Sequence, residues 1–287
     1  MPVVSVSNTQ TPPDQHAAYV ELALDRGLHH FSEANIWTYD HVKVEEISRT
    51  RGLVSAVSSS LAFTPVVQEL KRVVKEELGT LHGYQMALSS WMPGWHPDEG
   101  PEFYARHRAT SAGREMVPFE LLWLNEVFGP PAKVCGAVSQ RGRLPCQSED
   151  TWSLAMELEG GGHGQLLGLM ASPALYRRGR AWGDAGQVDF DLPAGILERN
   201  FPEQRVDDCR RFGSFRELLE KVYWEEINAF VDAIQGRAEW PYPYRTSSLA
   251  TATLAAAEQS AASGRWEPVD TARQPQPLPC GSEQVRR

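Results

Sequence analysis

The chain has 287 residues, 41% of them hydrophobic and 23% charged, with a formal net charge of -9 at pH 7. That length suits one large or two ordinary domains, and that composition marks a globular chain, not a disordered one. The acidic balance argues against nucleic acid or a membrane surface as the main partner.

No apolar run approaches the length that spans a bilayer. The N-terminus lacks the basic start, apolar core and cleavage site of a secretory leader. Cys135, Cys146, Cys209 and Cys280 form no CxxC pair. Neither a metal centre nor a disulfide framework is therefore expected, and reduced thiols in the cytoplasm are.

In chain order, residues 3–7 (VVSVS) read as a buried strand, and 8–15 as a polar loop with two prolines. His16 opens a helix with Ala17, Val20, Leu22, Ala23 and Leu24 at apolar spacing, stopped by Gly27. A short strand, His29–Ser32, then runs into Glu33-Ala34-Asn35. Strand, helix, strand is the repeating unit of a parallel α/β sheet, whose ligands bind at the carboxyl ends of the strands. Asn8 and Glu33 thus fall at the edge of a site. A helix over 39–51, a strand over 53–58 and a helix over 64–77 continue the pattern.

Leu78-Gly79 closes this half, and the alternating stretch from Leu81 opens another. Trp91-Met92-Pro93-Gly94-Trp95-His96-Pro97 reads as an aromatic, proline-rich loop. Val117, Leu121, Leu124 and Phe128 predict a helix over 114–128. Strands are predicted over 132–139, 151–159, 164–171 and 186–192. Gly160 to Gly164 is a hairpin rather than a phosphate loop, because no helix follows it. A long helix over 215–235, with Tyr223 inward and Trp224-Glu225-Glu226 on its surface, precedes an alanine-rich helix over 247–263. The expected organisation is α/β plus α+β: a partial Rossmann-like parallel sheet (1–79), a domain with a large, mostly antiparallel open sheet flanked by helices (80–268), and a tail (269–287).

Several residues carry possible chemistry. Trp91, Trp95, His96 and Tyr104 either pack as a self-contained loop or wall a sugar-sized cleft, with His96 the best-placed histidine for proton transfer. Arg114 either pairs with an internal carboxylate or grips an acidic ligand group in a two-pronged way. Glu120, between Phe119 and Leu121, is a carboxylate in so apolar a stretch that it is either paired or functional.

Six stretches, in order, resemble the glucose–fructose oxidoreductase / inositol dehydrogenase / MocA family. Residues 3–16 are similar to its strand with a Thr-Pro loop and a His. Ala23-Leu24-Asp25-Arg26-Gly27-Leu28-His29-His30-Phe31-Ser32-Glu33 resembles its "ALEAGKHVFCEKP" segment. Glu77-Leu78-Gly79, Glu149-Asp150-Thr151, Phe230-Val231-Asp232-Ala233-Ile234-Gln235-Gly236 and the run from Ala257 to Arg265 resemble the "LG" joint, the "DDT" strand opening, "FLDAIRG" and "AAxxSAxxGR".

The resemblance implies NAD or NADP as cofactor and oxidation or reduction of a sugar, cyclitol or related polyhydroxy compound. It also implies a homo-oligomer joined through the C-terminal sheet, with Asn8, His16 and Glu33 toward the cofactor and Trp95, Tyr104 and Arg114 toward the substrate. Four departures stand beside it. The G-x-G-x-x-G fingerprint expected upstream of Val3 is not in the sequence, so the chain is expected to start late in that domain. Ala34 stands at the family's lysine, Ala62 at an arginine and Phe119 at its acid/base histidine. Glu120 or Glu115 could replace that histidine, since a partly buried carboxylate has a raised pKa. The alternative is a non-catalytic relative that binds sugars or partners an oligomer.

Overall fold

A computed structural model of the chain describes residues 6–9, 13–34, 40–95, 98, 103–142 and 148–272. Three short parallel strands, β1 (Val6–Thr9), β2 (His29–Ser32) and β3 (Ser55–Val57), lie side by side in that order. Asn8 pairs with Phe31, and Phe31 with Ala56. The crossovers are α1 (His16–Asp25) and α2 (His41–Arg51). Asp40 caps α2 by accepting from the Lys43 N–H, and Gly52 ends it in the left-handed conformation that a side chain would disfavour. The first strand runs two residues later than the sequence implies at its described end, and 1–5 lie outside the described residues. A 3-10 turn over Ser60–Phe63 then leads to α3 (Pro65–Glu76), with Pro65 at its first turn.

The second sheet has nine strands: β4 (Leu81–Trp91), β5 (Pro131–Ser139), β6 (Thr151–Leu158), β7 (His163–Leu169), β8 (Ala171–Gly183), β9 (Gly186–Asp191), β10 (Ile196–Phe201), β11 (Val206–Arg211) and β12 (Glu267–Pro268). Their spatial order is β11-β10-β9-β8-β4-β7-β6-β5-β12. All neighbours are antiparallel except β4 and β7. This is the parallel sheet followed by a large, mostly antiparallel one that the sequence implies. The glycine run is the β6–β7 hairpin connection, as expected. Trp91, expected in a loop, is the last residue of β4, and β8, β10 and β11 are strands the sequence did not announce.

Two helices cover one face of this sheet, α4 (Ala112–Phe128) and α6 (Tyr244–Ser263). Gly136 on β5 lets α6 approach, since a Cβ there would sit 2.6 Å from the Ala257 carbonyl oxygen. Trp123 and Trp152 are fully buried in the same layer. The opposite face is concave, a cavity of about 1060 Å³ lined by Gln85, Ser153, Leu167, Tyr176 and Arg178 among others.

The remaining helix, α5 (Phe215–Ile234), begins with a capping box formed by Ser214 and Glu217. It buries a single stripe, Val222, Glu226 and Phe230, at four-residue spacing. Phe230 packs edge-on against Phe31 of β2 at 5.5 Å and Trp240 at 6.2 Å. The stripe corrects the sequence reading: Tyr223 is 50% exposed, and Glu226 points inward, 2% exposed.

Candidate functional site

Four segments converge beyond the carboxyl ends of the first sheet. Glu33 follows the last residue of β2, and Ser58-Ser59 follow the last residue of β3. The inward stripe of α5 brings Glu226, whose Oε1 accepts from the Ser59 N–H at 2.6 Å and from the Ser58 Oγ at 3.2 Å. The first turn of α4 brings Glu115, whose Oε2 accepts from the Tyr104 hydroxyl at 2.9 Å. Tyr104 itself sits in a 3-10 turn tied back by the Thr110 hydroxyl, which donates to its carbonyl at 2.6 Å.

The electrostatics of these groups are linked. Burial pushes the Glu115 carboxyl up to about 7; the Tyr104 hydrogen bond opposes this and the charge of Glu33 adds to it. Burial likewise raises Glu226 to about 7, against the Ser59 N–H and with the help of Glu33. Burial raises Glu33 too, opposed by the Ala34 N–H. Tyr223 is raised by burial and by the charges of Glu33 and Glu226. The charge of Glu33 thus acts on Glu115, Glu226 and Tyr223 alike. Carboxylates that ionise near neutrality beyond the strand ends suit proton transfer.

Other expected site residues lie elsewhere or are already committed. Glu120 is buried and ion-paired with Arg177 of β8 at 2.7 Å, and it accepts from the Trp123 indole at 2.8 Å. Burial raises its pKa, and the Arg177 charge opposes that. Five helical residues separate it from Glu115, a rotation of about 140°, so the two carboxylates leave α4 on different sides. Glu120 is thus paired, one of the two alternatives its apolar setting offered. Arg114 is 1% exposed, with Nε and Nη2 on the two oxygens of Glu258 at 2.7 and 3.2 Å and Nη1 on the Ala109 carbonyl at 2.9 Å. It forms the internal salt bridge, one of the two alternatives read from the sequence.

Trp95 is half-buried and donates to Ser90 Oγ at 2.7 Å, as a loop packing its own aromatics does. His16 is buried at the start of α1, and Asn8 lies at the carboxyl end of β1. His96 lies outside the described residues. Ala34 and Ala62 are both buried, and Phe119 is half-buried on α4. The structure brings Tyr104 and Glu115 together under the charge of Glu33, and adds Glu226, which the sequence reading put on the helix surface. The signal was there: Glu226 stands at the apolar spacing of Val222 and Phe230.

The cavity of about 1060 Å³ is not this site; it lies on the outer face of the large sheet. Among the described residues no three His, Cys, Asp or Glu side chains are arranged to hold a metal ion, and no helix is long and apolar enough to cross a membrane.

No family model and no curated protein matches the chain. Solved structures do. GenD2 from gentamicin A biosynthesis, solved with NAD, is 20% identical, with 92% of this chain covering 78% of that one at a TM-score of 0.75. The WlbA dehydrogenase of Bordetella pertussis, solved with NADH and UDP-GlcNAcA, is 16% identical over 92% and 79% of the two chains, at 0.72. A levoglucosan dehydrogenase solved with NADH is 16% identical over 92% and 80%, at 0.78. The chain has the fold of these Rossmann-type oxidoreductases.

Proposed function

We infer that this chain is an NAD- or NADP-linked oxidoreductase of the glucose–fructose oxidoreductase / inositol dehydrogenase / MocA kind, acting on a sugar, cyclitol or related polyhydroxy compound. One observation carries the reading: the Tyr104–Glu115 pair stands with Glu33 beyond the carboxyl ends of a parallel sheet, where such sheets bind ligands. The neighbours solved with NAD or NADH support it.

The chain's own residues suit the nicotinamide end of such a cofactor, with Asn8 and Glu33 at adjacent strand ends. A glycine-rich pyrophosphate turn is not among the described residues, and no step is assigned to one. When bound, nicotinamide supplies the hydride acceptor. Glu115, ionised, takes the proton of the substrate hydroxyl on a carboxylate oxygen, and Tyr104 orients that carboxylate. In the reverse direction protonated Glu115 returns the proton to the carbonyl oxygen. Domains divide at about residue 79, two copies join through the outer face of the large sheet, and the free thiols of Cys135 and Cys209 suit a reducing cytoplasm.

Titration of the folded protein with NADH and NADPH, followed by cofactor fluorescence, tests this reading. Micromolar binding is expected, and no binding overturns it. That second outcome favours a non-catalytic relative, a reading that Ala34, Ala62 and Phe119 support, since none of them can transfer a proton.

A further inference from the structure

We propose that Arg114 is a positioning residue: its guanidinium brackets the segment 103–111 to α6 and so sets the Tyr104 hydroxyl on Glu115. The proposal rests on the oxidoreductase reading for the proton that Glu115 carries.

One polar chain joins α6 to the site. The Glu258 carboxylate on α6 accepts from Arg114 Nε at 2.7 Å and from Nη2 at 3.2 Å. Arg114 Nη1 donates to the Ala109 carbonyl at 2.9 Å. Thr110, the next residue, donates from its hydroxyl to the Tyr104 carbonyl at 2.6 Å, and the His107 N–H reaches the same carbonyl at 3.0 Å. The Tyr104 hydroxyl then donates to Glu115 Oε2 at 2.9 Å. Arg114 and Glu115 are neighbours in the first turn of α4, so one helix end holds both the bracket and the carboxylate. That turn is itself seated on the large sheet: a Cβ on Gly113 would collide with the indole of Trp152 on β6.

An ion pair with Glu258 uses two of the guanidinium's donors; the third does something else. A guanidinium is planar and its fork is rigid. With Nε and Nη2 fixed on the two oxygens of Glu258, the direction of Nη1 is fixed too, and it falls on a carbonyl of the segment that carries Tyr104. Arg114 is buried, so bulk water does not compete for these donors. The segment's other charged tie, Arg108 to Glu149 at 3.1 Å, leaves Arg108 exposed, and such pairs contribute little. Phe103 and Ala105, on either side of Tyr104, are buried apolar anchors. They fix where the segment starts, and the bracket fixes how it closes over α4. A lysine in place of Arg114 keeps the charge but has no fork, so it cannot hold Glu258 and the Ala109 carbonyl in one plane.

The test reads the titration of the Glu115 carboxyl by NMR, on protein isotopically labelled at its glutamate carboxyl carbons, with the signal assigned by its loss in Glu115→Gln. A hydroxyl that donates to a carboxylate favours the charged form, so Tyr104→Phe is expected to move this titration upward by about one pH unit. Arg114→Lys is expected to move it in the same direction without any change of charge. The double variant is expected to move it no further than Tyr104→Phe does, because both substitutions remove the same hydrogen bond. Glu258→Asp, which also keeps the charge and shortens the partner by a methylene, is the second variant should Arg114→Lys not fold, with the same upward movement expected. A titration that stays in place or falls in the folded variant, or shifts that add in the double variant, overturns the proposal, whatever the loss in Tm. NADH binding to the wild type is measured separately by fluorescence. Binding with an unmoved Glu115 titration defeats this inference and leaves the oxidoreductase reading standing. A moved titration without NADH binding does the reverse.

Discussion

At the scale of single residues, burial and the charge of Glu33 push the carboxyls of Glu115 and Glu226 up to about 7, which suits the proton transfer proposed for Glu115. Such coupled groups titrate as a set, so the apparent pKa belongs to the site. Oxidation needs Glu115 ionised, so kcat/KM is expected to rise with pH through about 7, and Glu115→Gln to lower it about 10²–10⁴-fold and flatten that limb. Stability should move the opposite way. The folded protein holds protons on these carboxyls between their ordinary range and about 7, whereas the unfolded chain has released them. Stability is therefore full at low pH in this window and is lost as pH rises through about 7. Glu226→Gln is expected to raise Tm relative to wild type at pH 8, with the gap closing at pH 5. The Glu120–Arg177 pair behaves differently. Arg177→Met strands a fully buried carboxylate, and denaturant unfolding is expected to show a loss of about 3–5 kcal/mol.

Among the elements, α5 ties the first sheet to the site. Its single buried stripe sets Phe230 one turn from Glu226, against Phe31 and Trp240. Phe230→Ala is expected to cost about 3–5 kcal/mol in stability. It should also weaken cofactor-dependent turnover, because the helix that aims Glu226 loses its anchor. The first half of the chain was legible element by element. Strands β2 and β3 are mostly buried, and α3 carries clean apolar spacing with Val66, Val67, Leu70 and Val73. The missed strands show why the rest was not. The inward positions of β8 are Arg177, Gly179 and Ala181: one is held by Glu120, and a Cβ on Gly179 would collide with Phe190 at 2.3 Å. The apolar volume of that layer comes from neighbouring elements, so the strand itself shows no hydrophobic alternation. Glu226 was legible only from its spacing, four residues from Val222 and from Phe230, because its charge alone reads as a surface position.

For the molecule as a whole, the outer face of the large sheet is a broad concave surface with Leu167 and Tyr176 partly exposed on it. If two copies meet there, light scattering is expected to give twice 32.0 kDa, and Leu167→Lys to give a monomer. A monomeric wild type would remove that interface. The order of an α/β half followed by a mostly antiparallel sheet was readable because it depends on element type and sequence order. The pairing of that sheet was not, because it depends on which strands meet across long sequence separations.

That pairing has a consequence for synthesis. β4 occupies the middle of the sheet, between β7 and β8, although β7 ends at Leu169 and β8 begins at Ala171. The two strands that flank it are made together, and long after it. At roughly five to twenty residues a second, β4 waits several seconds on the ribosome with both backbone edges unpaired. An unpaired central strand is a template for wrong partners. The chain's yield in the cell is thus set by how β4 is shielded until Gly183 has emerged, so release of nascent chains between β6 and β8 should leave aggregates, whereas release after β8 should leave soluble protein.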